Sequence, residues 1–160
     1  MTLRAEHPTP NTVSTRIIKN ELVNWSALKY IQQENFKDWT LEAKQKLKTS
    51  IIQNQFAQPF YVWQDSASGD IYCLDGRHRT LIMKELVKEG YEIPALLDAI
   101  FIECKDKKEA ARMVLLYSSV YAKITEHGLF DFAKLYELDF ADLNEGFELP
   151  DMDIDRKSVV

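Results

Sequence analysis

Arg77, His78 and Arg79 stand in consecutive positions within "LDGRHRTLIMKEL", directly after Gly76 and ahead of an apolar, helix-like run. The adjacent carboxylate is Asp75. A strand that ends at Asp75-Gly76 and turns into a helix at Arg77 leaves the first backbone N–H groups of that helix without intrahelical partners. The helix dipole there favours an anion, and cationic side chains reinforce it. The same cations oppose the dipole when no anion is present, by a few tenths of a kcal/mol each. Glycine at position 76 lets a ligand approach the backbone without meeting a Cβ. An arginine such as Arg79 can grip a phosphate bidentately, and His78 adds one or two donors. The chemistry this suggests is phosphate binding. A solvated turn whose arginines pair with surface carboxylates fits the spacing equally well.

The elements around this corner follow from periodicity. "FYVWQDSASGDIYCL" reads as a hairpin: two aromatic and β-branched runs flank a loop, Asp65 to Asp70, rich in turn residues. From Thr80 onward Ile82, Met83, Leu86 and Val87 recur at helical spacing, and Gly90 closes the helix as a C′ residue. Upstream, "ELVNWSAL" predicts a short strand with Val23 and Trp25 inward, followed by a turn or loop from Ser26 through "KYIQQENFKDW". Thr40 is placed to cap a helix over "LEAKQKLKTSIIQN", with Leu47, Ile51 and Ile52 on its apolar stripe and an end near Asn54. Pro59 pushes Gln58 towards an extended conformation. "IPALLDAIFIEC" predicts a strand central to the sheet. "KDKKEAARMVLLYSSV" predicts a helix with Ala110, Val114 and Leu115 inward, and "TEHGLFDFAKLYELDF" a last short helix. The order strand, helix, hairpin, helix, strand, helix gives an α+β fold with a small mixed sheet packed with helices.

At 160 residues the chain suits one domain with a real core. Residues 1–20 are expected to be a flexible N-terminus with Pro8, Pro10 and Asn11 in a frayed stretch, 21–138 the folded domain, and 139–160 an extended or disordered acidic tail or linker. Twenty Lys and Arg against 25 Asp and Glu, net charge -5, argue against a broad nucleic-acid surface, which needs many cations on one face. A local basic pocket is compatible with that balance. Cys73 and Cys104 are too few for a disulfide framework or zinc site and read as buried, reduced thiols in apolar strands. "MTLRAEHPTPNTVSTR" lacks the apolar core of a signal peptide and no run reaches membrane-spanning length, so a cytoplasmic protein without membrane contact is expected. His127 reads as a helix-end residue. Trp25, Trp39, Tyr61 and Trp63 read as core or sheet-face packing, with room for one of them beside a bound base.

Three segments, "SIIQNQFAQPFYVW", "IYCLDGRHRTLIMKEL" and "IPALLDAIFIECKDKKEAARM", occur in the order and at the spacing of the ParB/sulfiredoxin superfamily. The chain resembles specifically the ParB N-terminal-like ("ParB-like nuclease") domain of phage or mobile-element type, over roughly Glu21 to Ser119. The family's strand–glycine–basic–helix corner reads Gly-Glu-Arg-Arg in partition proteins and Gly-Cys-His-Arg in sulfiredoxins. Many mobile-element members carry Asp-Gly-His-His-Arg. The resemblance implies a ParB/sulfiredoxin-like fold and a nucleotide-phosphate site at Gly76, Arg77, His78, Arg79 and Thr80, with Gly76, His78 and Arg79 gripping. Ser50 and Gln58 stand where the family's helix end and "QP" loop approach the nucleotide. Both also read as a surface hydroxyl and a turn amide.

The implied cofactor is a nucleoside triphosphate, CTP or ATP, with Mg²⁺. Asp75 is the candidate catalytic residue, through a metal ion or a water; as an N-cap of the following helix it reads equally well. The implied partners are the nucleotide, a homodimer mate, and DNA met weakly or through another protein. The departures also inform. Arg77 replaces the sulfiredoxin nucleophile, so sulfinic-acid reductase chemistry is excluded. It also replaces the partition proteins' glutamate, which argues for weak or no turnover. "QENFKDW" lacks the Asn-Pro-x-x-Pro-Arg element, and no helix-turn-helix is expected after Ser119. Three functions remain open. The leading one is a nucleotide-binding regulatory module linked to DNA processing. The others are a nuclease or nucleotide-dependent kinase or NTPase, and a protein-interaction domain with a degenerate pocket.

Overall fold

The computed structural model describes residues 11–31, 39–119 and 124–149. Five strands form one mixed sheet: β1 (Ile17–Asn24), β2 (Lys29–Tyr30), β3 (Phe60–Gln64), β4 (Ile71–Asp75) and β5 (Leu96–Ile102), in the order β1-β5-β3-β4-β2. The β1–β5 and β3–β4 pairs are antiparallel, and β3–β5 and β2–β4 parallel. Helices α1 (Leu41–Asn54), α2 (Arg77–Lys88), α3 (Lys107–Ser118), α4 (Glu126–Leu135) and α5 (Phe140–Gly146) complete the chain. The molecule is thus α+β with a mixed sheet packed with helices. No helix among the described residues is long and apolar enough to cross a membrane.

The hairpin alternates its side chains across the sheet. Phe60, Val62 and Cys73 join Val23, Leu97, Ala99, Phe101 and Met83 of α2 on one face. Trp63, Tyr72 and Leu74 join Ala110, Met113 and Val114 of α3 on the other. Period-2 patterning therefore feeds two cores, one on each side of the sheet. Val23 and Trp25 are buried as the sequence indicates, although Trp25 lies past β1 in a 3₁₀ turn, its indole N–H donating to the Pro94 carbonyl at 2.9 Å. Strand β5 is interior, flanked by β1 and β3, but the middle position belongs to β3. Thr40 caps α1, its hydroxyl accepting from Ala43 N–H at 3.0 Å. Gly90, at φ +99°, ends α2 with Tyr91 N–H bonding back to the Leu86 carbonyl.

Several expectations are corrected. Lys29–Tyr30, read as loop, forms a short parallel strand on β4. No residue of α1 is fully buried, because its apolar stripe borders an open cleft rather than a closed core. Val87 and Leu115 are exposed: the i, i+3, i+4, i+7 stripe of α3 falls on Ala110, Met113, Val114 and Tyr117, and that of α2 on Ile82, Met83 and Leu86. Cys104 is half-buried and sits beyond the end of β5. The single last helix is two, α4 and α5, with Asp139 capping the second through Ala141 N–H. The segment 140–146, read as extended tail, is helical because α5 packs on α1: Gly146 is buried, and a Cβ there would lie 2.7 Å from Gln53 Oε1. The first strand begins at Ile17, inside the stretch read as a flexible terminus. Pro8, Pro10, the segment 32–38 and the residues from 150 onward lie outside the described residues.

Candidate functional site

The β3–β4 hairpin delivers the chain to the corner. Its loop closes through Asp65, whose carboxylate accepts from Ala67 N–H at 3.0 Å and whose N–H donates to the Asp70 carbonyl at 2.9 Å. Strand β4 then ends at Asp75, and Gly76 turns the backbone at φ +119° into α2. That conformation favours glycine. There is also no space for a side chain: a Cβ would lie 2.5 Å from Phe60 Cδ1 and 2.8 Å from Arg79 Nη2. Helix α2 has no side-chain cap, whereas Thr40, Asp106, Thr125 and Asp139 cap the other four helices. Asp75 is therefore not the N-cap.

The three basic side chains diverge. Arg79 turns back over the sheet end, its side chain only 13% exposed. Its Nη1 donates to the Gln58 carbonyl and its Nη2 to the Pro59 carbonyl at 3.4 Å. The guanidinium lies 4.9 Å over the Phe60 ring and 6.0 Å over Phe56, with Asp75 Oδ2 at 3.9 Å. Burial draws its pKa below the ordinary arginine value, and Asp75 opposes that. The His78 ring stacks on Trp39, centroids 3.9 Å apart at an interplanar angle of 16°. The Arg77 guanidinium lies 5.4 Å over the Tyr30 ring, and its Nε is buried with no hydrogen-bond partner among the described residues. Thr80 is fully buried: its hydroxyl donates to the Arg77 carbonyl at 2.6 Å and shares a 2.5 Å hydrogen bond with the Tyr30 hydroxyl.

Asp75, Gly76, Arg77, His78 and Arg79 line one small cavity of about 190 Å³, with Leu47, Gln58 and Ser118 across from them. Thr80 belongs to the corner as a structural hydroxyl turned into the protein. Ser50 lines instead a neighbouring cleft of about 800 Å³ between α1 and α2, where it accepts from Asn54 Nδ2 at 3.3 Å. The two cavities share Leu47, Gln58 and Arg79, so Gln58 and the Arg79 guanidinium form the wall between them. Sequence reasoning missed Ser118, which approaches the corner only because α3 packs on β4. It placed Trp39 among packing aromatics, and the structure sets it against His78. Tyr61, by contrast, stacks on Tyr117 at 4.7 Å.

Other candidates fall away from this corner. Asp70 pairs with Lys29 at 2.9 Å at the opposite end of β4, five residues or roughly 16 Å from Asp75. Among the described residues no three His, Cys, Asp or Glu side chains are grouped to hold a metal ion. Burial pushes the Cys73 thiol up to about 12, well above the ordinary thiol range. Exposed His127 sits in the first turn of α4, 3.1 Å from Asp131.

A mixed sheet with a basic, glycine-turned strand–helix corner defines the class of structure. Comparison with solved structures narrows it to the ParB N-terminal fold. The C-terminally truncated chromosome-partitioning protein ParB from Caulobacter crescentus, complexed with CTP-γ-S, superposes with a TM-score of 0.60 at 12% identity, covering 79% of this chain and 69% of that one. A Pnob8-like ParB-N domain gives 0.48 at 17% identity, covering 79% of this chain and 47% of that one. At these identities the likeness is one of fold. No protein-family model and no curated protein matches the sequence.

Proposed function

We propose that this chain is a ParB-like nucleotide-binding module, cytoplasmic, acting as a binding or regulatory unit of DNA processing in a phage or mobile element. The observation that carries the reading is the uncapped, basic N-terminus of α2 opening into a pocket, in a fold shared with a protein solved in complex with CTP-γ-S. The phosphates of a nucleoside triphosphate, CTP or ATP, occupy the corner formed by Gly76, Arg77, His78 and Arg79. The rest of the nucleotide extends past Gln58 towards Ser50. Asp75 faces the same cavity and is the candidate for holding Mg²⁺ or a water. Turnover is weak or nil in this reading, since Arg77 stands where the partition proteins of the resembled family keep a glutamate. In this reading the partners are the nucleotide, a second copy of the chain, and DNA reached weakly or through another protein.

Calorimetric titration of the protein with CTP, ATP, GTP and ADP, with and without Mg²⁺, tests it. Saturable binding of at least one triphosphate, with product release slow or undetectable in a phosphate assay, is the expected result. A protein that binds none of them is not a nucleotide module.

A further inference from the structure

The sheet has two edges, β2 with two residues and β1 with eight. In an antiparallel pair every second residue turns its N–H and C=O away from the neighbouring strand, so β1 carries a row of such groups on the side opposite β5. Among the described residues no segment pairs with that side. Folded chains commonly blunt such an edge with proline, a short strand, a bulge or a covering element. Here "IIKNELVN" holds no proline, its register shift lies at the first end, between Ile17 and Lys19, and its pairing with β5 runs unbroken from Lys19 to Asn24. Val23 is buried, whereas Ile18 and Leu22 are 50% and 58% exposed.

The charges on the strand say what this edge fits. Lys19 and Glu21 share one face, Nζ and Oε2 3.2 Å apart, with Lys19 lying 4.6 Å over the Phe101 ring. A second copy related by a two-fold axis through Asn20, perpendicular to the sheet, sets β1 antiparallel to itself. Lys19 then stands opposite the partner's Glu21, Glu21 opposite the partner's Lys19, and Ile18 opposite the partner's Leu22. Moving the axis to Lys19 or to Glu21 opposes two like charges instead, which destabilises a cross-strand pair. An axis at Leu22 sets Glu21 against Val23, and one at Ile18 sets Lys19 against Ile17. The charge pattern therefore selects one register.

We propose that β1 is a self-pairing edge through which two copies of the chain join their sheets into one, with Asn20 on the two-fold axis. This edge gives a surface to the second copy of the proposed function. It rests on that part of the reading alone, and the nucleotide corner at the start of α2 plays no part in it. The contact is one strand wide, so it belongs to the small, exchangeable class of interfaces.

Self-association of the full chain, followed by analytical ultracentrifugation over a range of concentrations, tests the pairing. The parent should show a concentration-dependent monomer–dimer equilibrium. Glu21→Lys and Lys19→Glu each turn both opposed pairs into like charges and should weaken dimerisation at least about tenfold. An equimolar mixture of the two variants should recover it, as should Lys19→Glu combined with Glu21→Lys. Asn20→Cys should oxidise to a disulfide-linked dimer, since directly opposed Cα atoms lie about 4.5–5.5 Å apart, within disulfide reach, and Leu22→Cys should not. The parent is the blank for Cys73 and Cys104. All four substituted positions are exposed, so the variants should fold as the parent does, which urea melts verify. A parent that stays monomeric overturns the edge pairing, while saturable nucleotide binding by that monomer leaves the nucleotide reading in place. A dimer that ignores both charge reversals, or that cross-links through Leu22→Cys as readily as through Asn20→Cys, overturns it as well and moves the second copy to another surface.

Discussion

Replacing Gly76 by alanine should destabilise the ligand-free protein more than any other single methyl group added at a turn. Two costs add. Holding an L-residue at φ +119° strains the backbone by about 1–3 kcal/mol. The new Cβ also falls 2.5 Å from Phe60 Cδ1, and Phe60 is fully buried between sheet and helices with nowhere to retreat. Overpacking of that kind costs about 1–3 kcal/mol. Together they give roughly 2–6 kcal/mol, and each kcal/mol is worth about 2–4 °C in Tm for a chain of this size. Gly69 supplies the control: it has φ +77°, and an added Cβ there meets nothing within 4 Å, so Gly69→Ala should cost only the backbone part. Urea unfolding, with the slope checked for constancy, measures both. The difference between the two variants reports the close approach to Phe60 and Arg79, and trimming the ring with Phe60→Leu should make Gly76→Ala less costly in the double variant. Equal costs at positions 76 and 69, or an additive double variant, would refute the close-approach reasoning.

Thr80→Val keeps the shape of a fully buried side chain but breaks both hydrogen bonds of the hydroxyl, leaving the Tyr30 hydroxyl and Arg77 carbonyl short of a partner; a loss of about 1–3 kcal/mol in urea is expected, partly recovered by adding Tyr30→Phe. Alkaline pH should destabilise the fold. The Cys73 thiol, raised by burial from 9.0 to about 12, stays protonated in the folded chain while its unfolded counterpart ionises. The stability is thus present below pH 9 and declines towards pH 12, by up to about 1.4 kcal/mol per pH unit, and Cys73→Ala should flatten that slope in urea melts repeated across the range. With a net charge of -5, the isolated chain should bind duplex DNA no more tightly than about micromolar at physiological salt; tighter, sequence-specific binding in fluorescence anisotropy would contradict this.

Much of the fold is legible because it rests on local chemistry. The hairpin from Phe60 to Asp75 carries its turn in its own residues, the caps at Thr40 and Gly90 are single-residue signals, and Gly76 marks the tight turn into α2. What the sequence conceals is decided by partners distant along the chain. Lys29–Tyr30 is a strand because β4 lies beside it, and two residues carry too little pattern to announce that. Phe140–Gly146 reads as a charge run because its apolar side is short, yet α1 gives that side a surface to cover. Leu115 looks as apolar as Val114, and only the pitch of α3 against the sheet separates them. At the site the residue types were legible and their arrangement was not. Asp75 could be placed at the corner, but its lack of a capping bond and its proximity to Arg79 depend on where both side chains turn.

The divergence of the triplet follows from helix geometry. Successive residues on a helix project about 100° apart, so three neighbouring cations cannot converge on one point unless the chain bends to bring them there. In the first turn of α2, Arg77 faces Tyr30 of β2, His78 faces Trp39 ahead of α1, and Arg79 folds back over Phe60 to the loop before β3. Each basic residue thereby connects α2 to a different segment, and two of the three contacts are complete without a ligand. Charge density along the sequence is thus a poor measure of charge density in the pocket. It does explain how an acidic chain tolerates the cluster: one guanidinium is satisfied by backbone carbonyls, one ring lies on an aromatic face, and the other guanidinium lies over the Tyr30 ring.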